Sequence, residues 1–397
     1  MNSLNHHQVL VVGGGTAGIT VAAHLSKLAS GIDIAIVEPS SKHYYQPLWT
    51  LVGGGVFQRE ESEKEEKDVI PEHVEWYQDA VKTFYPEQNY VLTEDGKEIH
   101  YKYLVVAPGL QLNWNQIKGL DTNLGKYGIC SNYSYNHVEY SWETISNFKE
   151  GNAIFTYPNS PVKCGGAPQK IMYLAEESFR NNGVRDKANV TFVSPNDSIF
   201  SVEKYARTLE GIIEERNINT MFNYELTEIM ADRKLAVFIN VTTDEYKTLP
   251  FELLHVVPPM SAPDFIRESP LSDEAGWVDV DAYSLQHNKY PNIFSLGDAS
   301  SLPTSKTGAA IRKQAPVVVS NLYNLIKKRP MRQKYDGYTS CPLVTGYGKL
   351  VLAEFVYGNK PKETFPFNQA KERKSMYWLK KYGLPAMYWN GMLKGRA

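Results

Sequence analysis

Along this chain of 397 residues the apolar positions fall into short continuous runs and into helical repeats, and the two follow one another in order. "QVLVV" (8–12) is a short apolar run and "GITVAAHLSKL" (18–28) repeats Ala and Leu at helical spacing, so a buried strand, a glycine turn and a helix are predicted in succession. "IDIAIVEP" (32–39) predicts a second buried strand. "YKYLVVAPGLQLN" (101–113) predicts another that ends in a small-residue turn, and "YPNIFSLGDASSLP" (290–303) a strand running into Gly297 and Asp298. Between them, "GNAIFTYPNSPVKCGGAPQKIMYLAEESFRNNG" (151–183) reads as strand, loop and helix, with Pro168 near the helix start, where proline is tolerated. "TSKTGAAIRKQAPVVVSNLYNLIKKR" (304–329) reads as a helix with a Thr or Ser cap candidate. Strands alternating with helices predict an α/β fold with parallel sheets. No apolar run approaches about 18 residues, so no membrane-spanning helix is predicted.

The first glycine turn carries chemistry. Gly13, Gly15 and Gly18 fit G-x-G-x-x-G, in which the first glycine makes the tight turn, the second lets backbone approach a pyrophosphate, and the third lets helix and strand pack closely. The helix N-terminus adds N–H donors and a positive dipole end. Glu38 closes the second strand twenty residues after Gly18, where a carboxylate accepts both ribose hydroxyls of an adenosine. Together these predict dinucleotide binding.

Composition narrows the partners. Lys and Arg number 42 against 44 Asp and Glu, so no global field favours nucleic acid, and no nucleic-acid partner is expected. The 26 Tyr and 7 Trp suit stacking on a flat ligand or a membrane interface. Cys130, Cys164 and Cys341 are too few and too scattered for a secreted disulfide scaffold, so any disulfide is expected to be catalytic. The nine histidines show no metal-ligand spacing with these cysteines, and no metal is expected. The first strand is predicted to begin within eight residues, so no signal or transit peptide is expected. The run "QREESEKEEK" (58–67) is expected to be a solvated loop, and His43 a satisfied structural histidine.

The fingerprint, the turn after 106 and the later Gly297–Asp298 pair resemble the FAD domain of glutathione-reductase-like flavoproteins with two dinucleotide-binding domains. In those, the matching acid binds the ribitol chain, and the helix after it starts at the flavin pyrimidine edge, where its dipole stabilises an anionic reduced flavin. Such proteins carry a second Rossmann-like unit for NADH or NADPH, but here its glycine fingerprint is missing: Gly165 and Gly166 are adjacent, and Ser194 and Pro195 end the next strand. Cys164 stands there instead, just before a helix whose dipole lowers a thiol pKa, with Lys163 beside it. Cys341, before Pro342, lies in a second loop-and-strand segment.

These segments, including "VKCGGAPQKIMYL", "LHVVPPMSAPD", "GDASSLPTSKTGAA", "KYDGYTSCPLVTGYGK" and "ETFPFNQAKERKSMY", resemble the sulfide:quinone oxidoreductase family over nearly the whole chain, and most closely its mitochondrial-type branch. The resemblance implies that Cys164 and Cys341 match the family's redox-active pair. Hydrogen sulfide, as its hydrosulfide ion, attacks the oxidised pair, two electrons reach FAD, a small sulfur acceptor removes the sulfane sulfur, and a quinone, ubiquinone or menaquinone, reoxidises the flavin. It further implies that the persulfide forms on Cys341 and that Cys164 addresses the flavin. Cys130 is a third candidate thiol, as sulfur carrier, resolving thiol or buried bystander. The implied FAD contacts are Gly13, Gly15, Thr16, Ala17, Gly18, Glu38, Ala107, Pro108, Gly109, Gly297, Asp298, Lys306 and Thr307. With "ASS" after Asp298 there is no cysteine to attach flavin, so FAD is expected to be noncovalent.

The tail "KERKSMYWLKKYGLPAMYWNGMLKGRA" (371–397) interleaves aromatics and Met with seven basic residues against Glu372. It predicts two short amphipathic segments, broken at Gly383-Leu384-Pro385, lying in a membrane lipid surface where quinone enters. Lys371 and Tyr377 are the candidate quinone-lining residues by the resemblance. The expected division is an FAD domain at 1–113 and 268–335, a second Rossmann-like domain without a nicotinamide fingerprint at 114–267, and a redox-cysteine and membrane module at 336–397. A peripheral, monotopic protein on the cytoplasmic face of a bacterial inner membrane is expected, with a homo-oligomer left open. The competing readings are a type II NADH:quinone oxidoreductase, which needs a second fingerprint and no cysteine pair, and a flavin-based redox sensor or electron-transfer protein.

Overall fold

The computed structural model describes residues 5–29 and 31–397; the first four residues of the expected 1–113 segment lie outside it. Strand β1 (His6–Val12) leads through the glycine turn into helix α1 (Thr16–Leu28), followed by β2 (Ile34–Val37), β3 (Val74–Tyr77) and β4 (Glu98–Val106). Val9 to Val12, Ile34 to Val37 and Leu104 to Val106 are almost wholly buried. Continuous apolar runs of this kind mark strands covered on both faces.

A second sheet holds β5 (Ile129–Cys130), β6 (Gly151–Thr156), β7 (Ala188–Ser194), β8 (Asn219–Phe222) and β9 (Leu253–His255), with α2 (Ala167–Asn181) crossing from β6 to β7. Its order is β5–β9–β6–β7–β8, all parallel. A three-stranded antiparallel sheet from 224 to 250 is appended to it. The chain then returns to the first sheet as β10 (Ile293–Ser295), which pairs with β4 and gives a parallel core ordered β3–β2–β1–β4–β10. Helix α3 (Gly308–Ile326) follows and packs beside α1. The fold is therefore two Rossmann-like α/β units, with a late strand joining the first sheet.

Antiparallel strands β11 (Thr339–Gly346) and β12 (Lys349–Val356) follow, with β11 packed on α2. The tail forms α4 (Lys374–Trp378), a π-helical turn Leu379–Gly383, and α5 (Leu384–Asn390). The break expected at Gly383-Leu384-Pro385 is absent. Pro385 sits in the first turn of α5, where its missing N–H costs little, and the wide turn before it, with Leu384 N–H bonded to Leu379 O, carries the helix through. Nor does the tail lie wholly outside the protein: Met376, Tyr377, Tyr388, Met392 and Leu393 join the main core, while Trp378 and Tyr382 are 57% and 60% exposed.

The acidic run at 58–67 also departs from a solvated loop. Glu63–Glu65 pairs as a short strand with Lys42–Tyr44, Lys42 Nζ donates to Glu63 and Glu65, and Glu66 is buried. Alternating signs on facing strands hold it in place.

Candidate active site

The glycine turn is built by close approach. Gly13 has φ +101°, and a Cβ there would lie 2.4 Å from Ala107 O, so the turn seats directly on the Ala107-Pro108-Gly109 turn after β4. Glu38 stands at the end of β2, its two carboxylate oxygens accepting Gly14 N–H and Ser40 N–H at 2.8 Å each. Burial raises its pKa, and those two bonds oppose the rise. Gly14, which sequence reasoning passed over, is fixed by its neighbours: a Cβ would meet Glu66 Oε1 at 2.4 Å and Glu38 Cγ at 2.7 Å.

Helix α1 begins at Thr16 with no side-chain cap and no acid in its first turn, and a Cβ on Gly15 would project into open space. Free N–H groups facing open space suit a pyrophosphate. Gly297 packs against Ala17 and donates its N–H to Gln314 Oε1 at 2.9 Å, so the Gly297-Asp298 turn reaches the same place. Burial raises the Asp298 pKa, and Lys306 and Lys163 oppose it. Lys306 Nζ donates to Asp298 O and Ser300 O and lies 3.7 Å from the centre of the Trp277 ring; burial pushes it down to about 8. Thr307 is the cap of α3, its Oγ1 accepting Ala310 N–H at 3.0 Å. A small cleft at this helix start is lined in part by Gly297, Lys306, Thr307 and Gln314. Open turn, carboxylate and capped helix fit a dinucleotide.

Cys164 and Cys341 come from distant parts of the chain and are hydrogen-bonded to each other as free thiols. Segment Ser305–Thr307 ties them together: Cys164 N–H donates to Lys306 O at 2.7 Å, and Thr339, two residues before Cys341, bonds both Ser305 O and Thr307. The opening of α3 is therefore clamped between the two cysteine segments. Cys164 has φ +56°, a left-handed backbone that costs a non-glycine residue about 1–2 kcal/mol and persists where surroundings enforce it.

The two thiols are unlike. The bond donated by Cys341 holds Cys164 well below the ordinary thiol range, and buried Lys170, with Nζ 3.1 Å from Sγ, adds to it. The same bond, with burial, raises Cys341. In the reduced pair Cys164 is the thiolate and Cys341 the donor. Lys163 is not the neighbouring charge: its Nζ donates to Gln46 Oε1 and lies over the Trp49 ring. Lys170 comes one helical turn into α2, and Lys380 is contributed by the tail, buried, with Nζ donating to Pro47 O and its pKa pushed down to about 7 by burial. A charged residue inside the apolar repeat "QKIMYLA" was the available signal for Lys170; Lys380 looked like one more membrane-facing lysine.

The remaining candidate residues take these places. Cys130 lies fully buried on β5, its thiol pushed up to about 12 by burial, which is the environment of an inert core thiol. Lys371 is exposed, Tyr377 is a core residue under the tail, and Lys380 is the tail lysine whose charge reaches Cys164. His43 is buried and satisfied by Glu66 and Tyr388.

The unit that carries Cys164 has also lost its phosphate site physically. Gly166 ends the turn before α2, and a Cβ there would lie 2.2 Å from Leu343 Cδ2 and 3.6 Å from Cys341 Cβ. Strand β11 covers the helix start on which a nicotinamide dinucleotide would rest its pyrophosphate.

Residues 7–141 match the family described as pyridine nucleotide-disulphide oxidoreductase. "Sulfide:quinone oxidoreductase, mitochondrial" of Dictyostelium discoideum is 53% identical over 395 residues, covering 99% of this chain and 87% of that protein. The protein of the same name from Mus musculus is 50% identical over 392 residues, covering 98% and 87%. The crystal structure of the sulfide:quinone oxidoreductase from Aquifex aeolicus superposes with TM-score 0.83 over 99% of this chain and 92% of that one, at 20% identity, which speaks for the fold. The names of the two closely similar relatives point to mitochondria, so the bacterial inner membrane expected from the sequence finds no support in them; among the described residues no helix is long and apolar enough to cross a membrane. At these identities over nearly full length, the chain belongs to the sulfide:quinone oxidoreductase family.

Proposed function

We propose that the protein oxidises hydrogen sulfide at the Cys164–Cys341 pair and passes two electrons through noncovalent FAD to a membrane quinone. The observation that carries this reading is the clamp on segment Ser305–Thr307, which joins both cysteines to the start of α3. Gly13, Gly15, Thr16, Ala17 and Gly18 would hold the pyrophosphate, Glu38 the adenosine ribose, Asp298 the ribitol, and Lys306 and Thr307 the pyrimidine end. When bound, FAD supplies two-electron acceptor chemistry between the cysteine pair and the quinone.

The side chains then divide the work. Lys163, Lys170, Lys306 and Lys380 draw hydrosulfide anion toward the pair. In the oxidised pair HS⁻ attacks Cys341 Sγ; the S–S bond breaks, Cys341 carries the new persulfide, and Cys164 leaves as a thiolate. Lys170 stabilises that leaving thiolate by a charge-assisted hydrogen bond, which is why Cys164 is the better leaving group. A small nucleophilic acceptor removes the outer sulfur. The cover of β11 over Gly166 argues against NADH as donor. The division into 1–113 with 268–335, 114–267 and 336–397 belongs to the same proposal, as does attachment to a lipid surface through exposed Trp378 and Tyr382 with their neighbouring Lys374 and Lys381.

Cys164→Ser and Cys341→Ser are each expected to abolish sulfide-driven reduction of a soluble quinone while FAD content stays at one per chain. Turnover near wild type in either variant contradicts the paired-cysteine mechanism.

A further inference from the structure

The tail closes over the start of α1. Tyr388 on α5 is buried, its hydroxyl 2.9 Å from Thr16 Oγ1 and 2.5 Å from His43 Nε2, and its ring lies tilted against Tyr45 with centroids 4.4 Å apart. His43 Nδ1 lies 3.1 Å from Glu66 Oε2, and both of those side chains are buried. A buried carboxylate is an acceptor, so Nδ1–H points at Glu66 and the ring is locked for Tyr388. The other oxygen, Glu66 Oε1, has no hydrogen-bond partner and packs against Gly14. Both ends of this chain of side chains therefore touch the dinucleotide turn, one at Thr16 and the other at Gly14.

Farther along, Met392 and Leu393 are buried, His24 Nε2 donates to Ala397 O at 3.2 Å, and a Cβ on Gly395 would lie 2.7 Å from Ala23 O. Residues 388–397 thus lie along α1 from its first residue to its third turn. A tail that merely reached a membrane would not need a buried phenol bonded to the first residue of the phosphate-binding helix.

We infer that Tyr388 is a positioning residue for the dinucleotide: acting through Thr16 and the His43–Glu66 pair, it makes seating of the tail and binding of FAD favour one another. This rests on the reading of the Gly13–Gly18 turn as the FAD cradle. Linkage makes the effect reciprocal, since whatever the seated tail adds to FAD affinity, bound FAD adds to tail seating.

Tyr388→Phe keeps the ring on Tyr45 and removes only the hydroxyl. Apoprotein titrated with FAD, followed by flavin fluorescence, is expected to bind about fivefold more weakly in this variant, the loss of roughly one buried hydrogen bond. Thr16→Val is expected to weaken binding similarly, and the double variant no further than either alone. In parallel, FAD is expected to slow tryptic cleavage after Lys381 in the wild type and to protect less, by the same factor, in Tyr388→Phe. A purely structural role for the phenol would speed cleavage equally with and without FAD. Unchanged FAD affinity in Tyr388→Phe, or undiminished protection, overturns the inference and leaves the FAD cradle standing; a wild-type apoprotein that binds no FAD overturns both.

Discussion

Replacing Lys170 with methionine keeps the length and the apolar stem of a buried side chain and removes only its charge. The ammonium lies 3.1 Å from Cys164 Sγ. Two unit charges at that separation attract by roughly 5 kcal/mol at an effective dielectric constant of about 20, but burial of the ammonium and of the thiolate offsets much of this. Hydrogen bonds to charged groups contribute a net ~1.5–3 kcal/mol, and at about 1.4 kcal/mol per tenfold the thiolate fraction of Cys164 falls roughly ten- to hundredfold at any pH below its titration. The sign follows from the charge: a cation favours the deprotonated thiol, so its removal moves the onset of reactivity to higher pH. The assay is the rate of carboxamidomethylation of the reduced protein by iodoacetamide from pH 5 to 9, with the modified residue identified by mass spectrometry. Wild type is expected to react at Cys164 from acidic pH, with Cys130 and Cys341 unmodified. Lys170→Met is expected to shift the curve upward, and Lys170→Arg to restore most of it. A Lys170→Met profile that overlays wild type refutes the assignment of Lys170 as the counter-ion.

Two further substitutions probe the surroundings. Gly166→Val places a Cβ where Leu343 Cδ2 now stands; overpacking of this kind costs about 1–3 kcal/mol, and the variant is expected to form the Cys164–Cys341 disulfide poorly on mild oxidation, read by thiol titration. Trp378→Ser with Tyr382→Ser removes two rings that are more than half exposed and one helical turn apart; losing about 1–2 kcal/mol of interfacial burial per ring is expected to cut co-sedimentation with anionic vesicles at least tenfold while the quinone rate in detergent is kept. Deleting the whole tail is a poorer test of membrane attachment, because it also removes Lys380 and the core residues Tyr388 and Leu393.

Local order made part of this molecule legible. The strand, turn and helix at 8–28 and the acid at Glu38 stand close in sequence, so spacing alone placed them, and for the helix after the Gly297-Asp298 turn a Thr or Ser cap was expected, without saying which; it is Thr307. The cysteine pair was reached through family resemblance, and no periodicity joins residues 164 and 341. What remained hidden was set by contacts across the chain. Lys170 and Lys380 have no local signature, because a lysine that buries its stem and bonds a thiolate has the same letter as one in solvent. Gly166 reads as half of a failed phosphate motif until β11 is seen lying on it. In the tail, counting aromatic and basic residues predicted a lipid-facing surface, whereas packing sends Met376, Tyr388 and Leu393 inward and leaves Trp378 and Tyr382 outside. The proline break failed for a backbone reason, since a π turn lets the helix continue through it.

The most direct test is spectroscopic. Purified flavin-loaded protein is mixed anaerobically with sulfide, and separately with NADH, while the flavin absorbance is recorded, and a soluble quinone is then added. Rapid bleaching by sulfide that quinone reverses, with no bleaching by NADH, is the expected result. A flavin left oxidised by sulfide, or bleached by NADH alone, contradicts the account at its centre.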